Sequence, residues 1–267
     1  MGGKASRPGA FPGRTAASGN RDGAPRHGLA RVLSKAGLCS RTEAANWIRE
    51  GRVRVEGRVV RDPEYPLHDG MRRVRVEGRE DQTQPVRQYL MLNKPRGLVT
   101  TTRDEQGRDT VYRCFDGAGL PWLAPVGRLD KASEGLLLFS NDPQWAAAVL
   151  DPEGGPDKTY HVQIDRLPDP ALLQGLCEGV TGEAGERLSA RSASLLRSGA
   201  RNAWLEIVLD EGRNRQIRRL LAAFDVGVLR LVRVAIGDLS LGTLEKGAWR
   251  MLEDGERDAL APGKGRG

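Results

Sequence analysis

From Gln88 to Gly237, strand-like and helix-like segments follow one another without a strict strand–helix–strand repeat. This interleaving narrows the fold more than any other feature. A strict repeat would build a parallel sheet, whereas a loose mixture points to an α+β fold with a mixed, largely antiparallel sheet. QYLMLNKPRGLVTT predicts an apolar strand, a Pro-Arg-Gly turn and a second strand. Asn141-Asp142-Pro143 opens a helix, with Asp142 as cap and Pro143 at its first position. KTYHVQID (158–165) alternates Tyr160, Val162 and Ile164 and reads as a strand. ALLQGLCEGV suggests a helix near 170–178, and AWLEIVLDEG a strand ending in an acidic turn at Glu211-Gly212. RNRQIRRLLAAF places Ile217, Leu220, Leu221 and Phe224 at helical spacing, and VLRLVRVAIG closes with a strand.

The first 80 residues have another character. LARVLSKAG sets Leu29, Val32, Leu33 and Ala36 at helical spacing, and Gly37 stops that helix. Ser40-Arg41-Thr42-Glu43 has the form of a capping box and starts a second helix, with Ala44, Trp47 and Ile48 inward. RVRVEGRVV then predicts a short hairpin turning at Glu56-Gly57, and MRRVRVEG a further strand. Arg41, Arg52, Arg54 and Arg58 fall at the second helix start and on the polar side of the hairpin. The run SKAGLCSRTEAANWIREGRVRVEG resembles the alpha-L RNA-binding module shared with a small-subunit ribosomal protein. That resemblance implies a basic surface meeting RNA phosphates, a task that suits the arginine fork.

Charge divides the chain in the same place. Residues 1–27 and 28–87 each carry a net +4, whereas residues 88–252 balance 21 cationic residues against 21 acidic ones. Such a split fits a nucleic-acid handle on a domain with another task, and equally a solubilising tail. No apolar run approaches a membrane span, and the N-terminal stretch lacks an apolar signal core. Cys39, Cys114 and Cys177 are scattered and odd in number, which favours a reducing, cytoplasmic setting over a disulfide framework. No Cys or His pair has ligand spacing, so no metal site is expected, and the chain has no phosphate loop that would point to a cofactor. The expected organisation is a disordered basic tail (1–27), the RNA-binding domain (28–80), a linker (81–87), a catalytic domain (88–252) and a flexible C-terminal tail (253–267).

Within VGRLDKASEGLLLFS (126–140), Asp130 stands at the mouth of an apolar strand, two residues after Arg128. An Asp in such a turn ordinarily caps its own backbone. Here the helix near 214–224 also offers Arg213, Arg215, Arg218 and Arg219. A carboxylate in apolar surroundings needs a cation to stay ionised, and an ionised, positioned carboxylate can act as nucleophile or base.

Three motifs in order, VGRLDKASEGLLLFSND, KTYHV and EGRNRQIRRL, resemble the pseudouridine synthases of the ribosomal RNA type, the RsuA/RluB group. NKPRGLVTT before them and LVRVAIGDLSLGTLEKGAW after them extend the likeness over about residues 28–250. The resemblance implies that Asp130 is the catalytic aspartate, Tyr160 packs on the target base, and Arg218 pairs with the aspartate. It implies that Arg128 fills the space left by the extruded nucleotide and that Leu136 is the apolar contact beside the site. Lys158 and Arg215 would contact the substrate RNA, Lys158 and the other cations through backbone phosphates. Pro143 and Asp151 depart from the family's usual residues, which touches only local loop geometry.

The activity so implied is isomerisation of uridine to pseudouridine in ribosomal RNA, with the large subunit weakly favoured over the small. The partner is ribosomal RNA or a pre-ribosomal particle, met by a monomer. The competing reading is a catalytically silent RNA-binding assembly factor of the same fold. A metal-dependent nuclease lacks the clustered carboxylates or histidines it would need.

Overall fold

The computed structural model describes residues 27–67, 74–78, 86–102, 104–182 and 185–262. The expected basic tail, except His27, and residues 81–85 of the expected linker lie outside them. So do His68 and residues 71–73 of the predicted MRRVRVEG strand.

The first module follows its sequence pattern closely. Strand β1 (His27–Gly28) leads into helix α1 (Leu29–Lys35), and helix α2 (Arg41–Glu50) follows. The Ser40 hydroxyl accepts from the Glu43 amide at the start of α2, and Gly51 ends the helix at φ 81°. Strands β2 (Val53–Val55) and β3 (Arg58–Val59) form the hairpin, with Glu56 and Gly57 both at positive φ (51° and 81°). That pair of left-handed residues matches the twist of a tight hairpin. Strand β4 (Pro66–Leu67) pairs with β1, and β5 (Val74–Val76) pairs antiparallel with β2. Leu29, Leu33, Trp47, Ile48, Val53 and Val74 close one small core.

The second module is built on one large sheet. Its strands are β6 (Tyr89–Lys94), β7 (Ala124–Val126), β8 (Glu134–Ser140), β9 (Lys158–Ile164), β12 (Ser192–Ser198), β13 (Ala203–Leu209), β14 (Val228–Ile236), β15 (Leu239–Ser240) and β16 (Trp249–Met251). A small hairpin of β10 (Val180–Thr181) and β11 (Arg187–Leu188) stands apart. The sheet order is β12-β13-β9-β14-β8-β6-β16, with β15 beside β14 and β7 beside β8. Every pairing is antiparallel except that of β14 with β8. The fold is therefore α+β with an antiparallel-dominated sheet, as the interleaved pattern predicts.

Burial explains two kinds of strand. β9 and β13 alternate buried and half-exposed residues, so one face is covered. β8 is buried at every position: Leu137 and Phe139 enter the larger core, Leu136 and Leu138 the core on the opposite face. Helices α4 (Pro170–Glu178) and α5 (Gln216–Ala222) cover the first face, and α3 (Pro143–Val149) the second. Asp142 caps α3 by accepting from the Gln144 and Trp145 amides, with Pro143 at the first turn.

Two expectations are corrected here. Residues 254–260 form helix α6 rather than a flexible tail, because Leu260 and Ala261 are buried against the core of the second face. The predicted strand in GLVTT reduces to a single bridge between Val99 and Thr110, since its other groups are taken up by turns and by the Asp130 loop.

Candidate active site

Asp130 sits in a loop whose backbone is fastened from below. Thr100 Oγ1 donates to the Leu129 carbonyl at 2.8 Å, and the Gly97 amide donates to the Lys131 carbonyl at 2.8 Å. The decisive tether is Lys94, fully buried at the end of β6. Its Nζ donates to the carbonyls of Asp130, Ser133 and Pro95 at 3.2, 2.9 and 3.1 Å. The NKPRG turn thus holds the aspartate loop by its main chain and leaves the carboxylate to the cleft. Burial pushes the Lys94 ammonium down to about 8, with Asp130 acting in the opposite direction.

The cleft has a volume of about 470 Å³, within the range of small-molecule sites. The sheet and α5 place the predicted residues around it: Asp130 and Arg128 from the loop, Lys158 and Tyr160 from β9, Arg215 and Arg218 from the start of α5. Sequence-distant residues meet here because β9 lies beside β14, which lies beside β8. Tyr160 is 8% exposed, with its ring in the core cluster that includes Leu129, Ile217 and Leu231.

Which arginine faces the aspartate differs from the expectation. Arg215 Nη1 lies 3.6 Å from Asp130 Oδ2. Arg218 instead points its guanidinium at backbone carbonyls, of Val228 at 3.4 Å and Ala132 at 3.5 Å, and its buried Nε has no partner. Burial, followed by the Arg215 charge, lowers the Arg218 guanidinium, while Asp130 raises it. The cause of the swap is the backbone of Arg215, which is left-handed (φ 51°) immediately before α5. That turn brings residue 215 over the cleft. It is held by Gln216, 2% exposed, whose amide donates to Glu211 Oε1 at 2.8 Å and the Ser189 carbonyl at 3.1 Å.

Leu136 is a second correction. It does not line the cleft; its side chain is buried on the other sheet face, in the core with Trp145 and Ile236. One step of strand alternation separates it from Leu137, and neither is at the cleft wall. Leu129, Leu209, Ile217 and Leu231 provide the apolar lining. In the small module, Arg41 pairs with Glu64 at 3.2 Å, Arg52 lies over the Trp47 ring at 5.4 Å, and Arg54 donates to the Gly57 carbonyl at 3.2 Å. Arg54 and Arg58 are solvent-exposed.

Two residues were left without a role by the sequence: Lys94, whose ammonium fastens the Asp130 loop, and Arg233 in β14, which lines the cleft and is buried. An isolated lysine in an otherwise buried strand was the available signal for Lys94. Arg233 lies beside an irregularity in the β9–β14 register, which blurs the alternation.

Residues 88–223 match the family described as RNA pseudouridylate synthase, and residues 28–72 match the S4 domain. The chain belongs to the RNA pseudouridylate synthase family. It is 34% identical over 227 residues to ribosomal large subunit pseudouridine synthase B of Bacillus subtilis (strain 168), covering 84% of this chain and 91% of that protein. It is 36% identical over 222 residues to an uncharacterized RNA pseudouridine synthase of Rickettsia bellii, covering 83% and 95% of the two chains. A crystal structure of a pseudouridylate synthase superposes with a TM-score of 0.61 at 28% identity, covering 88% of this chain and 99% of that one. This family member carries an RNA-binding S4 domain ahead of its synthase domain and acts on RNA. Among the described residues, no helix is long and apolar enough to cross a membrane.

Proposed function

We propose that this synthase converts uridine to pseudouridine at a defined position of large-subunit ribosomal RNA. The observation that carries the reading is the Asp130 carboxylate, held at the cleft by its own backbone and 3.6 Å from the Arg215 guanidinium. The relative named for the large subunit, aligned over 91% of its length, supports the choice of RNA.

In the reaction the N1–C1′ bond of the nucleotide breaks, the ring turns, and a C5–C1′ bond forms. The C5 proton leaves to solvent and N1 gains one, so no oxidant or reductant is consumed. A paired uridine must first flip out, at a cost of a few kcal/mol. Arg128, exposed at the cleft rim, offsets part of that cost by occupying the vacated stack. Tyr160 holds the ring. Asp130, 3.6 Å from Arg215, supplies the carboxylate that opens the glycosidic bond, and Arg218 holds the loop at Ala132. Arg41, Arg54 and Arg58, which are exposed, and the half-buried Arg52 face RNA phosphates, and Lys158 and Arg215 contact the target nucleotide. The working unit is a monomer in the cytoplasm, with an RNA-binding domain over 28–80 and a catalytic domain over 88–252.

The choice of RNA is tested with transcripts of large- and small-subunit ribosomal RNA labelled with tritium at uridine C5. Release from the large-subunit transcript alone is expected; release from the small-subunit transcript alone contradicts the assignment.

A further inference from the structure

Two buried cations line the cleft with no carboxylate in ion-pair contact among the described residues. Lys158 is 7% exposed and Arg233 6% exposed, and both line the cleft beside Tyr160. Arg233 stands opposite Tyr160 in the β9–β14 ladder, and Lys158 lies two residues before Tyr160 on the same face of β9. Arg233 Nε donates to the Leu136 carbonyl at 2.7 Å, while its buried Nη2 has no partner. No carboxylate among the described residues pairs with either group; the exposed arginines at the cleft rim, Arg213 and Arg215, have Glu211 and Asp130. Burial, followed by the Arg233 charge, lowers the Lys158 ammonium, with Asp157 and Asp210 acting in the opposite direction. Two buried like charges with no carboxylate in ion-pair contact disfavour the empty fold. They suit a site in which negative charge arises during the reaction.

The proposed reaction creates such a charge. When the N1–C1′ bond opens, its electron pair stays with the base and spreads onto the ring oxygens O2 and O4. If the carboxylate first adds to ring carbon 6, the electrons move onto O4. We propose that Lys158 and Arg233 form a cationic cradle that stabilises the anionic base in the transition state, rather than a clamp for backbone phosphate. Their depth favours the base. Both are more than nine-tenths buried beside the tyrosine that holds the ring, whereas the rim arginines Arg213 and Arg215 keep 41% and 52% side-chain exposure. The cradle rests on the synthase reading above and adds to it residues that act on the leaving base.

The test uses the full chain and the C5-tritiated large-subunit transcript. Single-turnover tritium release and RNA affinity by filter binding are measured for wild type, Lys158→Met, Arg233→Met, Arg233→Lys and Asp130→Asn. Removing one preorganised donor to a developing anion slows chemistry about 100-fold, so each methionine variant should lose about that much while its Kd stays within about two-fold. Arg233→Lys, which keeps the charge, should recover most of the rate. A weakened Kd with an unchanged rate at saturating RNA overturns the cradle in favour of a phosphate clamp. Unchanged rate and affinity overturn it in favour of a packing role. Should Arg233→Met fail to fold, as its bond to β8 allows, Lys158→Met decides, since no backbone carbonyl depends on it. An inactive wild type removes the synthase reading and the cradle together. Active wild type, inactive Asp130→Asn and fully active methionine variants remove the cradle alone.

Discussion

Lys94 shows how one side chain sets the geometry of another. Its ammonium fills three carbonyl acceptors around the Asp130 loop and takes no carboxylate partner among the described residues. A methionine there would leave those carbonyls without a donor, an arrangement that costs about 1–3 kcal/mol for each buried unsatisfied group. Lys94→Met should therefore lose turnover through a loosened loop. The same residue gives a pH signature. Its folded value is about 8, against 10.5 unperturbed. Between those values the unfolded chain keeps a proton that the folded chain has released, so the Lys94 contribution to stability rises with pH across the window. Denaturant titrations at pH 8 and pH 10 should show wild type gaining on Lys94→Met as pH rises; a parallel pH dependence of the two proteins contradicts the burial of the charge. Asp130, Tyr160 and Lys158 were legible from motifs because short loops and one strand carry them. The Arg215 contact was not, because it depends on a left-handed backbone at residue 215 that side-chain identity does not announce.

Among the elements, those with a complete local signal were readable in advance. α2 has a Ser cap, an apolar stripe and a terminal glycine; α3 has an Asp cap and Pro143; β9 alternates along its whole length. The elements that were missed owe their form to tertiary contact. α6 is a charged heptapeptide, DGERDAL, with only Leu260 buried inside it. It forms because Leu260 fills the core under Trp145, whose indole Nε1 donates to the Arg257 carbonyl at 3.0 Å. β12 is exposed at nearly every position and exists as the outer neighbour of β13. The family resemblance puts Leu136 beside the site, but in the doubly covered strand β8 its side chain turns into the core with Trp145. The docking of α6 makes Leu260→Ala a core truncation, expected to cost about 2–5 kcal/mol. Urea unfolding measures it, and a loss below about 0.5 kcal/mol, the range of exposed sites, would show α6 to be peripheral.

At the scale of the molecule, charge and chemistry occupy different modules. The net charge resides in the first 87 residues, while the synthase module is balanced and places six of its cations around the cleft. The junction is fastened by one short motif. Asn141 accepts from the Gln88 amide at 2.8 Å and donates to the Val86 carbonyl at 3.0 Å, while Asp142 accepts from Tyr89 at 2.8 Å and pairs with Arg87 at 3.1 Å. Asp142, which caps α3, and its neighbour Asn141 thus also anchor the chain arriving from the S4 domain. In the proposed function RNA affinity lies on a basic module and chemistry at one carboxylate, so the two should separate under a single substitution. The most direct measurement compares tritium release and RNA affinity for wild type and Asp130→Asn on the same C5-tritiated ribosomal RNA. Release by wild type, none by the variant and equal affinity for both is the predicted result. Release by Asp130→Asn at a rate near wild type would remove Asp130 from the chemistry and contradict the account.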